Sequence, residues 1–334
     1  MATNKRTYYA VTSISVAECG TNTFTAVHGA QSLGINTTFN LEQVFELGQL
    51  ALYSNLENIP DVEVSLEKVL DGYPLIYHLA TTGAVSASLS GRQNRRATVG
   101  LSVYGDTQNS ASGTPLSQAT MSGMYVSNLS YTFPTQGNCT ESVTLVGNNK
   151  VWNNSFTGPT FNNNDAPLFA SGVQRRQDVM MGSGWTKLPS DIPGINATTN
   201  YNYLSGTDYL AHVQSIRTSV NLGREALYEF GRRGPYHRYA SFPTEVKTEI
   251  EVMALDNGDN VTALEDAYSN VSNQPIVIKT RDGGVWDLGT VNKLAAVTYG
   301  GANAGRGGGN ATCTYSYSNF NDMSVTHPED PSGL

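Results

Sequence analysis

Chemistry at neutral pH would have to come from the five histidines, the three cysteines or a grouping of acids. None of these is spaced for it. His28, His78, His212, His237 and His327 are scattered, with no two at metal-ligand spacing. Cys19, Cys139 and Cys313 lie far apart without a C-x-x-C pair, so neither a zinc site nor a disulfide framework is indicated; a single bridge, within or between chains, stays open. Gly307 to Gly309 lack the following Lys-Ser/Thr of a phosphate loop and suit a hairpin tip. No G-x-S-x-G elbow occurs, and the acids fall on alternate positions rather than in a catalytic pair. The expectation is a protein that is not an enzyme and carries no cofactor or metal.

Two charged features remain. "PDVEVSLE" sets Val62, Val64 and Leu66 against Glu63, Ser65 and Glu67, and "EVKTEIEV" sets Val246, Thr248, Ile250 and Val252 against Glu245, Lys247, Glu249 and Glu251. A period of two makes each run a half-buried strand with a wetted face. If such strands closed into a ring with that face inward, Glu63, Glu67, Glu245, Glu249 and Glu251 would line an acidic bore that keeps phosphate from sticking. The second feature is "GRRGPYHR", with Arg232, Arg233, Tyr236, His237 and Arg238. It could face nucleic acid, but the net charge of -8 favours a solvated loop or one that pairs with an acidic neighbouring subunit.

The elements carrying these features are spelled twice. Leu47-Gly48, Ala51-Leu52-Tyr53 and Pro60 reappear as Leu222-Gly223, Ala226-Leu227-Tyr228 and Pro243. The offset changes from 175 to 184 residues between the Leu-Gly box and the strands, which implies a longer loop in the second copy. Each copy closes on a hairpin, "NLSYTFPTQGNCTESVTLVGNNKVW" from Asn128 and "LAAVTYGGANAGRGGGNATCTYSYSNF" from Leu294, where Gly309-Asn310-Ala311-Thr312 echoes Gly137-Asn138-Cys139-Thr140. Val261, Leu264, Tyr268 and Val271 have helical spacing; the matching stretch "AVSASLSGRQNRR" is a weaker helix, interrupted by Gly91. The expected organisation is a first domain over 1–152, a loop-rich insertion or linker over 153–205, and a second domain over 206–334.

Composition agrees with a mainly β chain: charged residues make up 14%, with 33 Gly and 18 Tyr. The N-terminus has no apolar core of the kind a secretory signal needs, and no stretch approaches the ~18 apolar residues of a membrane helix. Asn-x-Ser/Thr triplets at Asn36, Asn196, Asn270 and Asn310 read as chance in an Asn- and Thr-rich chain.

"NLGREALYEFGRRGPYHRYASFPTEV", "PDVEVSLEKVLDG" and "LSYTFPTQGNCTESVTLVGNNKVW" together resemble the tail tube proteins of tailed bacteriophages, over about 37–152 and 211–320. The resemblance implies tandem β-sandwich or barrel domains, each flanked by a helix, whose sheets join neighbours into an inner β-barrel ring. It implies stacked rings forming the hollow tube through which the genome is ejected. The partners would be further copies of the chain, as a trimer of two-domain chains or otherwise a hexamer. Tape measure, terminator, baseplate and a sheath where one exists would follow, with DNA only passing through and no membrane bound. The location would be the virion tail, after synthesis in the host cytoplasm. The family usually carries one domain per chain, so two would be a departure. The competing reading is a tandem β-sandwich for virion decoration or carbohydrate adhesion, using the many Tyr and Asn.

Overall fold

The computed structural model describes residues 6–107, 110–153, 172–181, 184–192, 195, 212–253, 271–300 and 310–331. The strands of the first half are β1 (Thr12–Glu18), β2 (Thr25–Ala26), β3 (Ala30–Thr38), β4 (Leu41–Phe45), β5 (Leu52–Glu57) and β6 (Asp61–Val69). Two short helices follow, α1 (Ile76–Ala80) and α2 (Leu89–Arg92), then β7 (Ala97–Val103), β8 (Ser117–Pro134), β9 (Thr140–Gly147) and β10 (Val151–Asn153). The second half adds β11 (Val213–Asn221), β12 (Glu225–Leu227), β13 (His237–Tyr239), β14 (Glu245–Met253), β15 (Val277–Lys279) and β16 (Val285–Asp287). It ends with β17 (Lys293–Gly300), β18 (Thr312–Phe320) and β19 (Ser324–Thr326). The protein is mainly β, built of several sheets, and no sheet closes into a barrel among the described residues.

One path through the largest sheet runs β3-β6-β9-β8-β11-β14-β18-β17, antiparallel at every step. Its first four strands and its last four have the same order relative to the chain. Irregularities repeat as well: the β3–β6 register slips at Gln31 and the β11–β14 register at Gln214. In each case the bulged glutamine's Nε2 donates to the carbonyl two residues back, Gly29 or His212, at 3.2 Å. The β8–β9 and β17–β18 pairs slip at Ser127 and Ala295. A bulge bends a strand and raises its twist, so both runs carry the same bends at the same places.

Register also corrects the sequence alignment. Glu67 matches Glu251 and Thr140 matches Thr312, as the strand and hairpin offsets predict. The Leu-Gly and Ala-Leu-Tyr words do not match. Leu47-Gly48 lies between β4 and β5, whereas Leu222-Gly223 follows β11, and Ala51-Leu52 leads into β5 while Ala226-Leu227 lies in β12. The β4–β5 and β12–β13 hairpins instead correspond at an offset of 183, as Val44↔Ser54 and Leu227↔His237 show, and their loops are equally long. The expected longer loop in the second copy is absent.

Alternation decides which face is buried. Val62, Val64, Leu66, Val143, Leu145, Leu129, Tyr131, Phe133, Ile216, Val246, Ile250 and Tyr315 all point inward into one continuous core. At ~1.5–3 kcal/mol per buried large side chain, this is the dominant stabilising term. The core is covered by α1, by the sheet β2-β1-β7-β8, and by the three-stranded sheet β15-β16-β19. Trp286 stacks edge-on against Tyr131 and Phe133 at 5.3 and 5.0 Å, so the second half's cover rests on a first-half strand. The long strand β8 belongs to both sheets, pairing with β7 through its first part and with β9 and β11 through its second.

Helices are short. The first two N–H groups of α1 donate to the Glu141 carboxylate, Ile76 at 2.6 Å and Tyr77 at 3.1 Å, which lets a fully buried acid start the helix. α2 is capped by Ser88 Oγ, and glycine at 91 leaves room for Ser86, whose Oγ would lie 1.9 Å from an added Cβ. The helix expected around Leu264 and Tyr268, the Gly307–Gly309 run and most of 153–205 lie outside the described residues. Within that last stretch Leu188, Ile192 and Ile195 are buried, and Asp191 accepts a hydrogen bond from Tyr317 Oη at 2.6 Å.

Candidate assembly surface

The face opposite the core is polar across all eight strands of the path. One row reads Ser32, Glu67, Ser142, Ser130, Ser219, Lys247, Ser318 and Lys293, each residue directly opposite the next. Another joins Thr132, Arg217, Glu249 and Ser316. All five glutamates singled out by sequence stand on this face. Glu63 lies beside Asn36 on the β3 side, while Glu245, Glu249 and Glu251 lie together on β14.

The face is less purely acidic than the two strands alone suggest. Lys247 Nζ meets Glu249 Oε1 at 2.8 Å, and Arg217 faces the same glutamate in register. Glu251 accepts from Ser215 Oγ at 3.1 Å and Glu245 from Ser318 Oγ at 2.6 Å. Lys247 comes from β14 itself, and Arg217 from β11, whose pairing with β14 the sequence did not disclose. What remains is mostly hydroxyls and amides with a few charges, a surface that hydrates well, interrupted by the exposed Phe320 opposite Glu245.

The arginine-rich loop is tied down within the chain. Arg238 Nη2 donates to Asp61 Oδ1 and, at 2.9 Å, to Asn148 Oδ1. Burial pushes the Asp61 carboxyl up, but hydrogen bonds from Asn40 and Arg238 and the arginine's charge outweigh this and hold it below the usual carboxylate range. Arg233 donates to the Glu57 carbonyl, and His237 Nδ1 meets Tyr125 Oη at 2.8 Å. Arg232 pairs with neighbouring Glu229 at 3.0 Å, its one ion pair among the described residues, and Tyr236 is exposed. The loop therefore braces β12–β13 against the first half.

A residue that sequence reading passed over does more at this junction. Arg224 Nε donates to the Val126 carbonyl at 2.6 Å, and its Nη1 donates to the Gln93 carbonyl, also at 2.6 Å. Leu222 N–H donates to the next carbonyl, Ser127, at 2.8 Å. The β8 bulge turns these two carbonyls out of the ladder, and the chain leaving β11 satisfies both. Burial lowers the Arg224 pKa to about 10, still charged at neutral pH. Only its place three residues beyond a strand could have flagged it.

The outer strands β3 and β17 each pair on one side only among the described residues. Beside β17 an open cleft of about 450 Å³ is lined by Val291, Leu294, Ala295, Asn319 and Phe320 among others. Phe39, at the end of β3, is 70% exposed, and Tyr299 on β17 is 50% exposed.

No group of three His, Cys, Asp or Glu among the described residues could hold a metal, and no described helix is long and apolar enough to cross a membrane. Cys139 and Cys313 are buried, and burial raises the Cys139 thiol to about 12, far from a reactive thiolate. Neither a protein-family model nor a curated protein matches the chain.

Proposed function

We propose that this protein is a structural subunit of a phage tail tube, assembling into stacked rings whose bore passes the genome. The observation that carries this is the eight-strand path: two four-strand runs of identical order, joined edge to edge, polar on one face and covered on the other. Each run corresponds to one tube domain, so one chain supplies two of six pseudo-equivalent ring positions. In this reading the uncovered face lines the bore, with Glu63, Glu67, Glu245, Glu249 and Glu251 standing there among hydroxyls. Open sheet edges are a liability in a monomer and are removed by ring closure.

Strand spacing favours three chains. Three copies of the path form a barrel of 24 strands; at ~4.8 Å per strand its backbone diameter is about 37 Å before tilt widens it. That admits a DNA duplex after side chains are allowed for. Six chains would double the bore and leave the duplex loosely held. The partners are then copies of the chain, the other tail proteins and DNA in transit, in the virion tail.

Negative-stain microscopy of the purified protein and of tail preparations tests the reading. Rings or tubes with a threefold or pseudo-sixfold outline are expected. A strict monomer at high concentration, absent from tails and retained by immobilised glycans, would instead support the decoration or adhesin reading.

A further inference from the structure

The seam between neighbouring chains is already drawn inside each chain. We propose that β17 of one copy pairs antiparallel with β3 of the next, in the register that β8 uses with β11. The inference rests on the ring reading above and assigns its contact surface residue by residue.

Matching bulges fix the correspondence: β17 stands to β8 as Ala295 to Ser127, and β3 stands to β11 as Gln31 to Gln214. In the internal seam Ser130 faces Ser219, Tyr131 faces Thr218 and Leu129 faces Val220. Carried across, Thr298 faces Asn36 of the next copy, Tyr299 faces Ile35 and Val297 faces Thr37.

Exposure supports the transfer independently. Leu222, beside the internal seam, is 2% exposed, whereas its counterpart Phe39 is 70% exposed; Tyr131 is buried against Trp286 and Glu141, whereas its counterpart Tyr299 on the outer strand is 50% exposed. Leu222 N–H caps the carbonyl at the β8 bulge. The same move brings Phe39 N–H of the next copy to the Ala295 carbonyl and its ring to the cleft lined by Leu294, Ala295 and Phe320. A second copy is the occupant this edge fits, because it alone offers a matching bulge pattern and a continuous polar face.

Cross-linking in the full chain tests the register. Asn36→Cys with Thr298→Cys should oxidise to disulfide-linked multimers, about tenfold more than Thr38→Cys with Thr298→Cys, whose Cα atoms are displaced by two residues along the strand. Phe39→Lys should weaken association while leaving the melting temperature of the dissociated chain unchanged. Rings by microscopy without cross-links in the first pair, or with equal cross-linking in the second, would overturn this seam and leave the tube reading standing. Cross-linked multimers that never stack would sustain the seam and overturn the tube. A chain that stays monomeric and does not cross-link would overturn both.

Discussion

The two four-strand runs share a skeleton and differ in what they bury. In the first, β6 and β9 place Lys68 and Glu141 in the interior, fully covered, with Lys68 Nζ bonded to the Pro74 carbonyl at 3.0 Å and paired to Asp71. The same positions of the second run hold Val252 and Cys313, also covered but apolar. The first half spends its buried charge on starting α1 and turning the chain after β6, where the second half has only hydrocarbon and sulfur. Equal bends and unequal cores mean that the geometry of the sheet is what the two halves have in common. The covering layers are free to diverge.

Removing a shared cover is expected to have the largest effect. Trp286→Ala empties a site between Tyr131, Phe133 and the second-half sheet and should cost about 3–5 kcal/mol by denaturant unfolding. Because one core spans both halves, the loss should appear in a single transition. Two separated transitions would mean that the halves are independent bodies.

Next comes the contrast at matched positions. Glu141→Ala strands the α1 N–H groups and Tyr131 Oη, and should cost about 3 kcal/mol. Its counterpart Cys313→Ala should cost about 1 kcal/mol. Similar losses would remove the asymmetry drawn above.

The C-terminal residues supply a pH-dependent link between the halves. His78 Nε2 donates to the Val325 carbonyl at 3.0 Å, beside Arg92 and Asp330, which are ion-paired to each other. Burial lowers the His78 pKa from 6.5 to about 4; Asp330 opposes this and Arg92 adds to it. The folded protein therefore binds that proton more weakly than the unfolded chain. Stability from this site is full above about pH 6.5 and is lost as the pH falls towards 4. Melting curves across that window should show the decline, and His78→Asn should flatten it.

The smallest effect on stability is expected on the polar face. Replacing Glu245, Glu249 and Glu251 with Lys removes half-exposed surface contacts and sets lysines beside Lys247 and Arg217, a surface change that should lower the melting temperature only modestly. On the proposed tube reading, DNA ejection from particles carrying the variant should slow, because phosphate would find a basic lining. Unchanged ejection would place this face elsewhere than the bore.

Much of the sheet was legible because period-two alternation survives wherever one face is dry. Val62 to Leu66 and Val246 to Val252 announced their strands, and the Gly137-Asn138 turn announced the first hairpin. The true repeat was harder to see. Matched backbone positions hold Lys68 and Val252, or Glu141 and Cys313, so side-chain identity had drifted while register had not. Shared words such as Leu-Gly misled because a hairpin tip and a strand exit both accept glycine: Gly48 and Gly223 each have positive φ, for different local reasons. Helix α1 escaped notice because it starts on a carboxylate 65 residues downstream rather than on a local cap, whereas α2 lies within the stretch read as a weaker helix. Lys247 was already visible beside Glu249 in the alternation; what pairing added to the charge balance was Arg217, set opposite the same glutamate.

The β8–β11 seam lies within one polypeptide, and in the ring proposed above this would change how the subunits come together. Half of the joints in a three-chain ring form at the effective concentration of a tethered pair, without any encounter between molecules. Those joints can be permanent, sealed by Arg224 and Arg238, while the three between chains stay weak enough to correct a misplaced subunit. A single-domain subunit has to make both kinds of joint from one sequence. Fusion lets growth be reversible and the finished wall strong, because each property is written in its own residues.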